Sequence, residues 1–358
     1  MRRTTGATIC AAGRGSGCAC AREAQLLNGG LTRRRIAAIC GTVAVASCIG
    51  LPSGAQTRDR AKHLGWLSLA SQRSARDEVV LRDLHEIGWV EGVNLSVSYR
   101  WAAGRIEALA SMAEQLVRLK VDVILAWTTP AAKAARDATR RIPIVMASIA
   151  DPVANGLVSS LAHPGGNVTG VSLMAPELAG KRLELLQSVL PQLRRVAFLA
   201  HRADTAHRVF VSEILSAGAQ LGLIVQPFVV NGPEEFEAVF AEMRKGGVQA
   251  LVVQPLFVTA GQQGMNIADF AQRHRMPTIS DGFQFAEAGG LLYFGPDRLP
   301  LDHRVAGYVD RILKGANPAD LPVEQPQKFE LVINLKTARA LGLAIPQALL
   351  FRADRVID

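Results

Sequence analysis

Hydroxyl residues stand where several apolar runs of this chain stop. Val121–Trp127 is followed by Thr128-Thr129-Pro130, and His63–Ser71 ends on Ser68 and Ser71. Hydroxyls beside free backbone N–H groups can hold a carboxylate, and the first turn of a helix favours an anion. The same residues are ordinary helix caps, with Thr129 as cap and Pro130 suited to the first helical position. The two roles are compatible. Asp151-Pro152 follows the apolar run Ile142–Ser148. Asp151 can accept from a ligand ammonium or cap the helix it precedes. Asp281, close to Phe283 and Phe285, follows Met276–Ser280. An acid beside aromatics suits an amine-bearing or aromatic ligand, and suits a packed hinge equally well. Bond-breaking chemistry finds no foothold. The sequence has no Gly-x-Ser-x-Gly, no His-Glu-x-x-His and no phosphate loop, and its body has no cysteine. Histidines 163, 201, 207, 274 and 303 are scattered.

The elements that must carry these residues read as strand, loop and helix in alternation. Val121–Trp127 is nearly all apolar, as expected of a parallel strand buried on both faces. A helix follows to about Arg140, then a second apolar strand. Two strand ends that each hand over to a helix form the edge at which open α/β sheets bind ligands. The pattern restarts at Arg195. Gly65-Trp-Leu-Ser68 lines up with Ala197-Phe-Leu-Ala200, Val121–Trp127 with Val248–Gln254, and Arg141-Ile-Pro143 with Arg275-Met-Pro277, at offsets of 132, 127 and 134. So constant an offset predicts two doubly wound, Rossmann-like α/β lobes of one type. Leu291–Phe294, the helix His303–Lys314, the extended run Ala316–Gln327, the strand Phe329–Asn334 and a helix closed by Gly342 read as additions to the two sheets. Trp66, Trp89 and Trp101 read as packing aromatics rather than a stacking box.

Length and charge bound the rest. The chain has 358 residues, enough for two full-sized cores, and a formal net charge of +9. Residues 1–55 hold seven arginines against the single acid Glu23, so +6 of that charge lies there and only +3 in the body. No basic run survives in the body, which argues against nucleic acid as a partner. All five cysteines (Cys10, Cys18, Cys20, Cys40 and Cys48) precede residue 50. Cys18-Ala-Cys20 lacks the His or acidic company of a metal site, and no metal or cofactor is expected. Arg33-Arg34-Arg35, the apolar run Ile36–Leu51 and Pro52-Ser53-Gly54-Ala55 read as a secretory signal over about 31–55. Thr32-Arg33-Arg34 also has the look of a twin-arginine signal. Two endings stay open: cleavage after Ala55, or a lipid anchor on Cys48 in Val45-Ala46-Ser47-Cys48. Either one predicts an exported, periplasmic or extracytoplasmic body whose only membrane link is that anchor.

From His63 to Ile357 the chain resembles the tryptophan/tyrosine-type family of ABC-transporter substrate-binding proteins. The matching pieces are Leu84–Asn94, Tyr99-Arg-Trp101, Asp122-Val-Ile124 with Thr129-Pro-Ala-Ala132, and Asp151-Pro-Val153. Further on are His163–Gly170, Lys181–Leu185, Glu287–Leu291, Arg311–Gly315 and Lys328–Leu343. The resemblance implies a type I periplasmic-binding-protein fold, with two lobes joined by three hinge crossings and ligand in the cleft. It places the crossings near Thr169–Ser172, Ala288–Leu291 and Pro322–Gln327. The N-terminal lobe is then 61–171 plus 290–322 and the C-terminal lobe 172–289 plus 323–358. His201-Arg-Ala-Asp204 stands where the family has an Asn/Pro-rich loop, and Gln254-Pro-Leu-Phe257 is equally individual. Both loops are expected to face the cleft. The ligand-binding residues expected on all these grounds are Ser68, Ser71, Thr128, Thr129, Asp151, His201, Gln254, Asp281 and Phe283. The implied function is not enzymatic: capture of a small molecule, an amino acid or related small organic acid, aromatic by the resemblance, and delivery to an ABC permease with its ATPase. The alternative is an exported ligand-sensing subunit for a membrane receptor.

Overall fold

Five parallel strands and their helices make the first lobe: β1 (Lys62–Ser68), α1 (Ala75–Glu86), β2 (Leu95–Trp101), α2 (Leu109–Arg118), β3 (Val123–Trp127), α3 (Thr129–Ala138), β4 (Ile144–Ile149) and β5 (Val168–Ser172). The computed structural model describes residues 60–358 except 260 and 261, without the side chains of 258–265 and 283. The signal segment, Cys48 and Ala55 lie outside the described residues, as does the side chain of Phe283. The second lobe follows as α4 (Ala179–Val189), β6 (Arg195–His201), α5 (His207–Gln220), β7 (Ile224–Val230), α6 (Phe236–Lys245), β8 (Ala250–Val253), α7 (Pro255–Thr259), α8 (Gln262–Arg273), β9 (Thr278–Ser280), α9 (Phe283–Glu287) and β10 (Leu292–Pro296). The chain then runs through α10 (Arg298–Leu313), β11 (Phe329–Asn334), α11 (Leu335–Leu341), α12 (Gln347–Leu350) and β12 (Arg355–Ile357).

The first sheet has strand order β2-β1-β3-β4-β5, all parallel. The second opens with the same order, β7-β6-β8-β9-β10, and adds β11 antiparallel to β10 and β12 beside it. The repeat read from the offsets is therefore a repeat of topology. In each sheet the order reverses beside the first strand, between β1 and β3 and between β6 and β8. Ligands bind at such switch points, outside the carboxyl ends of the strands.

Burial follows from this layering. All five residues of β3 are buried, because helices cover both faces. Leu64, Trp66, Val123 and Leu125 share one core with α1 and α10, while Leu67, Ile124, Ala126 and Ile144 pack on α2 and α3. Trp66 is fully buried, with its ring centroid 5.8 Å from Tyr99, 6.4 Å from Trp101 and 6.3 Å from Trp127. Trp66 and Trp101 thus pack within this aromatic cluster. Ser74 starts α1 with a capping box: its side chain accepts from Asp77 N, while the Asp77 carboxylate accepts from Ser74 N.

The chain passes between the sheets three times. Ser172 leaves the first; its N–H donates to Glu324 O at 2.9 Å, and Glu324 N donates to Gly170 O at 3.0 Å. The return falls later than the sequence suggested. Leu292–Pro296 pairs with β9 and β11, so 290–296 lies in the second lobe and the chain crosses at Asp297, whose N–H donates to Lys328 O at 2.9 Å. A five-residue strand at the end of an α/β lobe looks the same in sequence whichever sheet it joins. The chain then goes back with α10, which packs on α1, β3, β4 and β5. Among the described residues no helix is long and apolar enough to cross a membrane.

Candidate functional site

A cavity at the carboxyl ends of the strands has walls from both lobes. Thr128, Thr129, Pro130, Ser148 and Ala150 come from the first lobe, Asp204, Phe210, Pro255 and Leu256 from the second, and Leu173, Ala175 and Arg298 from the crossings. The space between these walls, open solvent included, is about 360 Å³.

The first-lobe wall is made by two irregular strand ends. Thr128, straight after β3, has φ 81 and ψ 155, and Ser148 near the end of β4 has φ 59. Neither is glycine, so each costs on the order of 1–3 kcal/mol to hold. Ser148 lies where the β4–β5 register shifts between Met146 and Ile149, a bulge that re-aims its side chain. Thr128 Oγ1 and Ser148 Oγ are buried and have no hydrogen-bond partner in the protein. A buried hydroxyl left unpaired costs on the order of 1–3 kcal/mol. Two such groups facing one cavity are therefore suited to a polar ligand.

Both threonines line the cavity, but neither side chain caps α3 as the sequence suggested. Thr128, not Thr129, is the cap residue of α3; it makes no side-chain cap bond, and Pro130 is inside the first turn. Thr129 Oγ1 instead accepts from Ala150 N at 3.2 Å, tying α3 to the end of β4. The first N–H groups of α3 thus receive no cap and are left for an anion.

The second-lobe wall centres on Asp204, which is 4% exposed. Its Oδ1 accepts from Ala206 N at 2.9 Å and its Oδ2 from Gln254 Nε2 at 2.6 Å. Gln254 Oε1 accepts from His201 N at 2.8 Å, so the ends of β6 and β8 are clamped together behind the carboxyl group. His201 Nδ1 accepts from Ala203 N at 3.2 Å, and its ring packs 5.4 Å from Phe257. Burial pushes the His201 imidazole down, which favours the neutral ring that this bond needs. Burial pushes the Asp204 carboxyl up to about 7; the Ala206 hydrogen bond only partly opposes it. His201 and Gln254, expected to touch ligand, are thus the frame that holds Asp204.

The remaining candidates stand elsewhere. Ser68 is buried and accepts from Ala70 N at 3.2 Å, while Ser71 is exposed. Asp151 Oδ1 accepts from Val153 N and Ala154 N, both at 2.9 Å, so it caps a turn. None of the three lines the cavity. Nor does Asp281, which is fully buried. Arg182 Nη2 lies 3.1 Å from its Oδ2 as an ion pair, although neither atom gains a well-aligned hydrogen bond. Burial pushes the Asp281 carboxyl up, and the charges of Arg182 and Arg298 oppose this. Asp281 is the packed hinge of the two alternatives.

Sequence inspection missed Ser148, Asp204, Phe210 and Arg298. Arg298 opens α10 at the second crossing; its Nη2 donates to Asp281 O at 2.8 Å, while its Nε is buried without a hydrogen-bond partner. It is the cation of the cavity wall. The only signal for Asp204 was the unusual His201–Asp204 loop. Among the described residues no cluster of His, Cys, Asp or Glu could hold a metal ion.

A family model described as ABC transporter substrate binding protein matches residues 71–357. A tyrosine-binding protein from Clostridioides difficile (strain R20291) is 26% identical over 264 residues, which is 74% of this chain and 75% of that protein. A solved conserved domain protein from Vibrio cholerae is 26% identical with a TM-score of 0.77, covering 83% of this chain and 100% of that one. A solved domain from Streptococcus pneumoniae in complex with L-Trp is 29% identical with a TM-score of 0.75, covering 83% of this chain and 99% of that one. The fold is the type I periplasmic-binding-protein fold.

Proposed function

Because the chain belongs to the ABC transporter substrate-binding protein family, and so is a binding protein rather than an enzyme, we propose that it is exported, closes its two lobes on a small molecule, and hands that molecule to an ABC permease powered by its ATPase. The observation that carries this reading is the cavity shared by both lobes. A ligand touching Thr128 and Ser148 on one side and Asp204 and Phe210 on the other binds the closed arrangement better than the open one, and so shifts the population toward it. Nothing in that cycle requires a bond to break.

The ligand is an amino acid or a related small organic acid. Arg298, the two free hydroxyls and the uncapped start of α3 suit a carboxylate. Phe210, Leu173, Leu256, Pro130 and Pro255 offer an apolar wall for a side chain. The tyrosine-binding relative and the relative solved with L-Trp support an aromatic side chain. The matched family and the arginine-led leader support a site of action outside the cytoplasm.

A thermal-shift screen of the purified protein against the common amino acids and simple carboxylates tests the reading. A true ligand at about a hundred times its Kd stabilises the folded protein by about 2.7 kcal/mol and raises the melting temperature with concentration. A flat response across the panel rejects this ligand class.

A further inference from the structure

Asp204 is a carboxyl group inside a ligand cavity with no cation of its own. It is 4% exposed, and both its oxygens are held, by Ala206 N and by the neutral side chain of Gln254. Among the described residues no Lys, Arg or His forms an ion pair with it. Its surroundings are otherwise quiet. His201 and His207 stand on its own segment: His201 Nδ1 accepts from Ala203 N, and His207 Nδ1 meets the carbonyl oxygen of Asp204, not its carboxyl group. Gln254 ends β8, Pro255 and Leu256 open α7, and Thr128, Ser148 and the guanidinium of Arg298 share the cavity from other elements. A purely structural acid at this depth would be paired, because an isolated buried charge is costly. This one is oriented and left open.

We propose that Asp204 selects a ligand carrying a primary ammonium group, and that the ammonium replaces a proton which Asp204 holds in the empty cleft. The inference rests on the cleft reading above and adds the ligand's second charge and a pH dependence to it. In the empty protein the carboxyl group is about half neutral at pH 7 and largely neutral at pH 6 and below, because burial pushes it up to about 7. On binding, the Asp204 O–H proton leaves to solvent. The carboxylate that remains accepts from the ligand N–H groups, and the ligand keeps its own proton, so proton release approaches one per ligand at pH 6 and falls to about a tenth at pH 8. An opposite charge at hydrogen-bond distance favours the ionised acid, which makes this exchange favourable. Gln254 has a positioning role here: its Nε2 keeps Oδ2 in place through either charge state.

The sign follows from linkage. Capture requires the ionised form, so affinity rises with pH up to about 7 and levels off above it. From pH 6 to pH 8 the gain is about tenfold, since the ionised fraction rises from about a tenth to about nine tenths.

Isothermal titration at pH 6, 7 and 8 tests this with a panel of L-amino acids, their des-amino acids and the matching simple amines, on the wild type and on Asp204→Asn. The proposal expects an amino acid to bind about tenfold tighter at pH 8 than at pH 6, with a released proton seen as buffer-dependent heat, and its des-amino acid to bind without that gain. Asp204→Asn should lose at least about tenfold in affinity for the amino acid at pH 8 and lose most of the pH dependence, while keeping any affinity for the des-amino acid. Histidine titration would survive in that variant and is thereby separated. Carbon-13 observation of the Asp204 carboxyl in the ligand-free protein, assigned by its absence in Asp204→Asn, needs no ligand and should show titration near neutrality. An amino acid that binds equally well to both proteins, with no pH dependence, overturns the role of Asp204 and leaves the transport reading intact. So does a ligand bound only in its des-amino form, or a carboxyl group already ionised at pH 5. Binding of nothing in the panel overturns both.

Discussion

Buried acids in this protein divide by what stands beside them. Asp204 and Asp281 are both inaccessible, yet only Asp281 has an arginine against its carboxylate. Arg182 is itself 4% exposed, and its other donors are used: Nε to Phe294 O at 3.1 Å and Nη1 to Ala175 O at 2.7 Å. Removing Asp281 would strand that guanidinium without its counter-charge. Breaking a buried pair from one side costs about 3–5 kcal/mol. Asp281→Ala is therefore expected to lower the unfolding free energy by that much, read as a lower denaturant midpoint at an unchanged m-value, and to leave ligand affinity within about twofold in the fraction that remains folded. A variant of unaltered stability with weakened affinity would return Asp281 to the binding site. The sequence alone left Asp281 equally suited to ligand binding and to a packed hinge. Asp281 follows a strand on the cleft side, beside aromatics, and the sequence contains no sign that Arg182, nearly a hundred positions earlier, comes to meet it.

Strand ends hold the site, and one glycine decides where they lie. Gly170 in β5 has φ +134 and pairs with Met146 of β4. A Cβ at this position would sit 2.2 Å from Met146 O, a backbone atom that cannot yield without parting the strands. The bulge that turns Ser148 into the cavity lies on that same β4 edge. Gly170→Ala combines a forbidden contact with an unfavourable φ, and is expected to cost on the order of 3 kcal/mol or more. Its effect should show as lost soluble yield or a melting point lowered by several degrees, together with weaker ligand response in whatever folds. A fully stable Gly170→Ala protein would mean that β4 and β5 are less tightly paired than their register implies. Legibility in the sequence divides along the same line. Periodicity and the constant offset revealed the strands, the helices and the twofold repeat, because these follow from side-chain pattern. Thr128 was legible because it ends an apolar run. Ser148 was not, since its role comes from a positive φ and a register shift inside a run that reads as plain strand. The short helices Pro255–Thr259 and Phe283–Glu287 were missed for a related reason: one turn and a half is too little for a period to show.

At the scale of the whole molecule, function depends on how freely the three crossings let the lobes move. They are tied to one another as well as to the cores. Ser172 and Gly170 bond the Glu324 backbone, and Asp297 bonds that of Lys328. Thr169 Oγ1 also donates to Leu321 O at 2.6 Å. Such a small hydrogen-bonded ribbon can twist as a unit while each sheet stays intact. Arg298 spans the division directly, since it starts a helix of the first lobe and donates to a carbonyl of the second. A ligand that adds contacts on both sides of the cavity needs about a hundredfold preference for the closed form to move a 10:1 open population to 1:10. That shift is measurable because the lobes themselves contain no cysteine: all five precede residue 50 and are replaced by serine for the measurement. Cysteines placed at Val93 and Leu215, which are 76% and 42% exposed on opposite lobes, then take a label pair with no background. A saturating amino acid ligand should replace a broad interlobe distance distribution by a shorter, narrower one, and the same ligand at pH 6 should need a higher concentration to do so. Arg298→Met should broaden the liganded distribution again, because it removes both the bridge to Asp281 O and the cationic wall of the cavity. Distances that ignore a saturating ligand would mean that the cleft binds without closing, and that a permease must recognise the protein by something other than its closed shape.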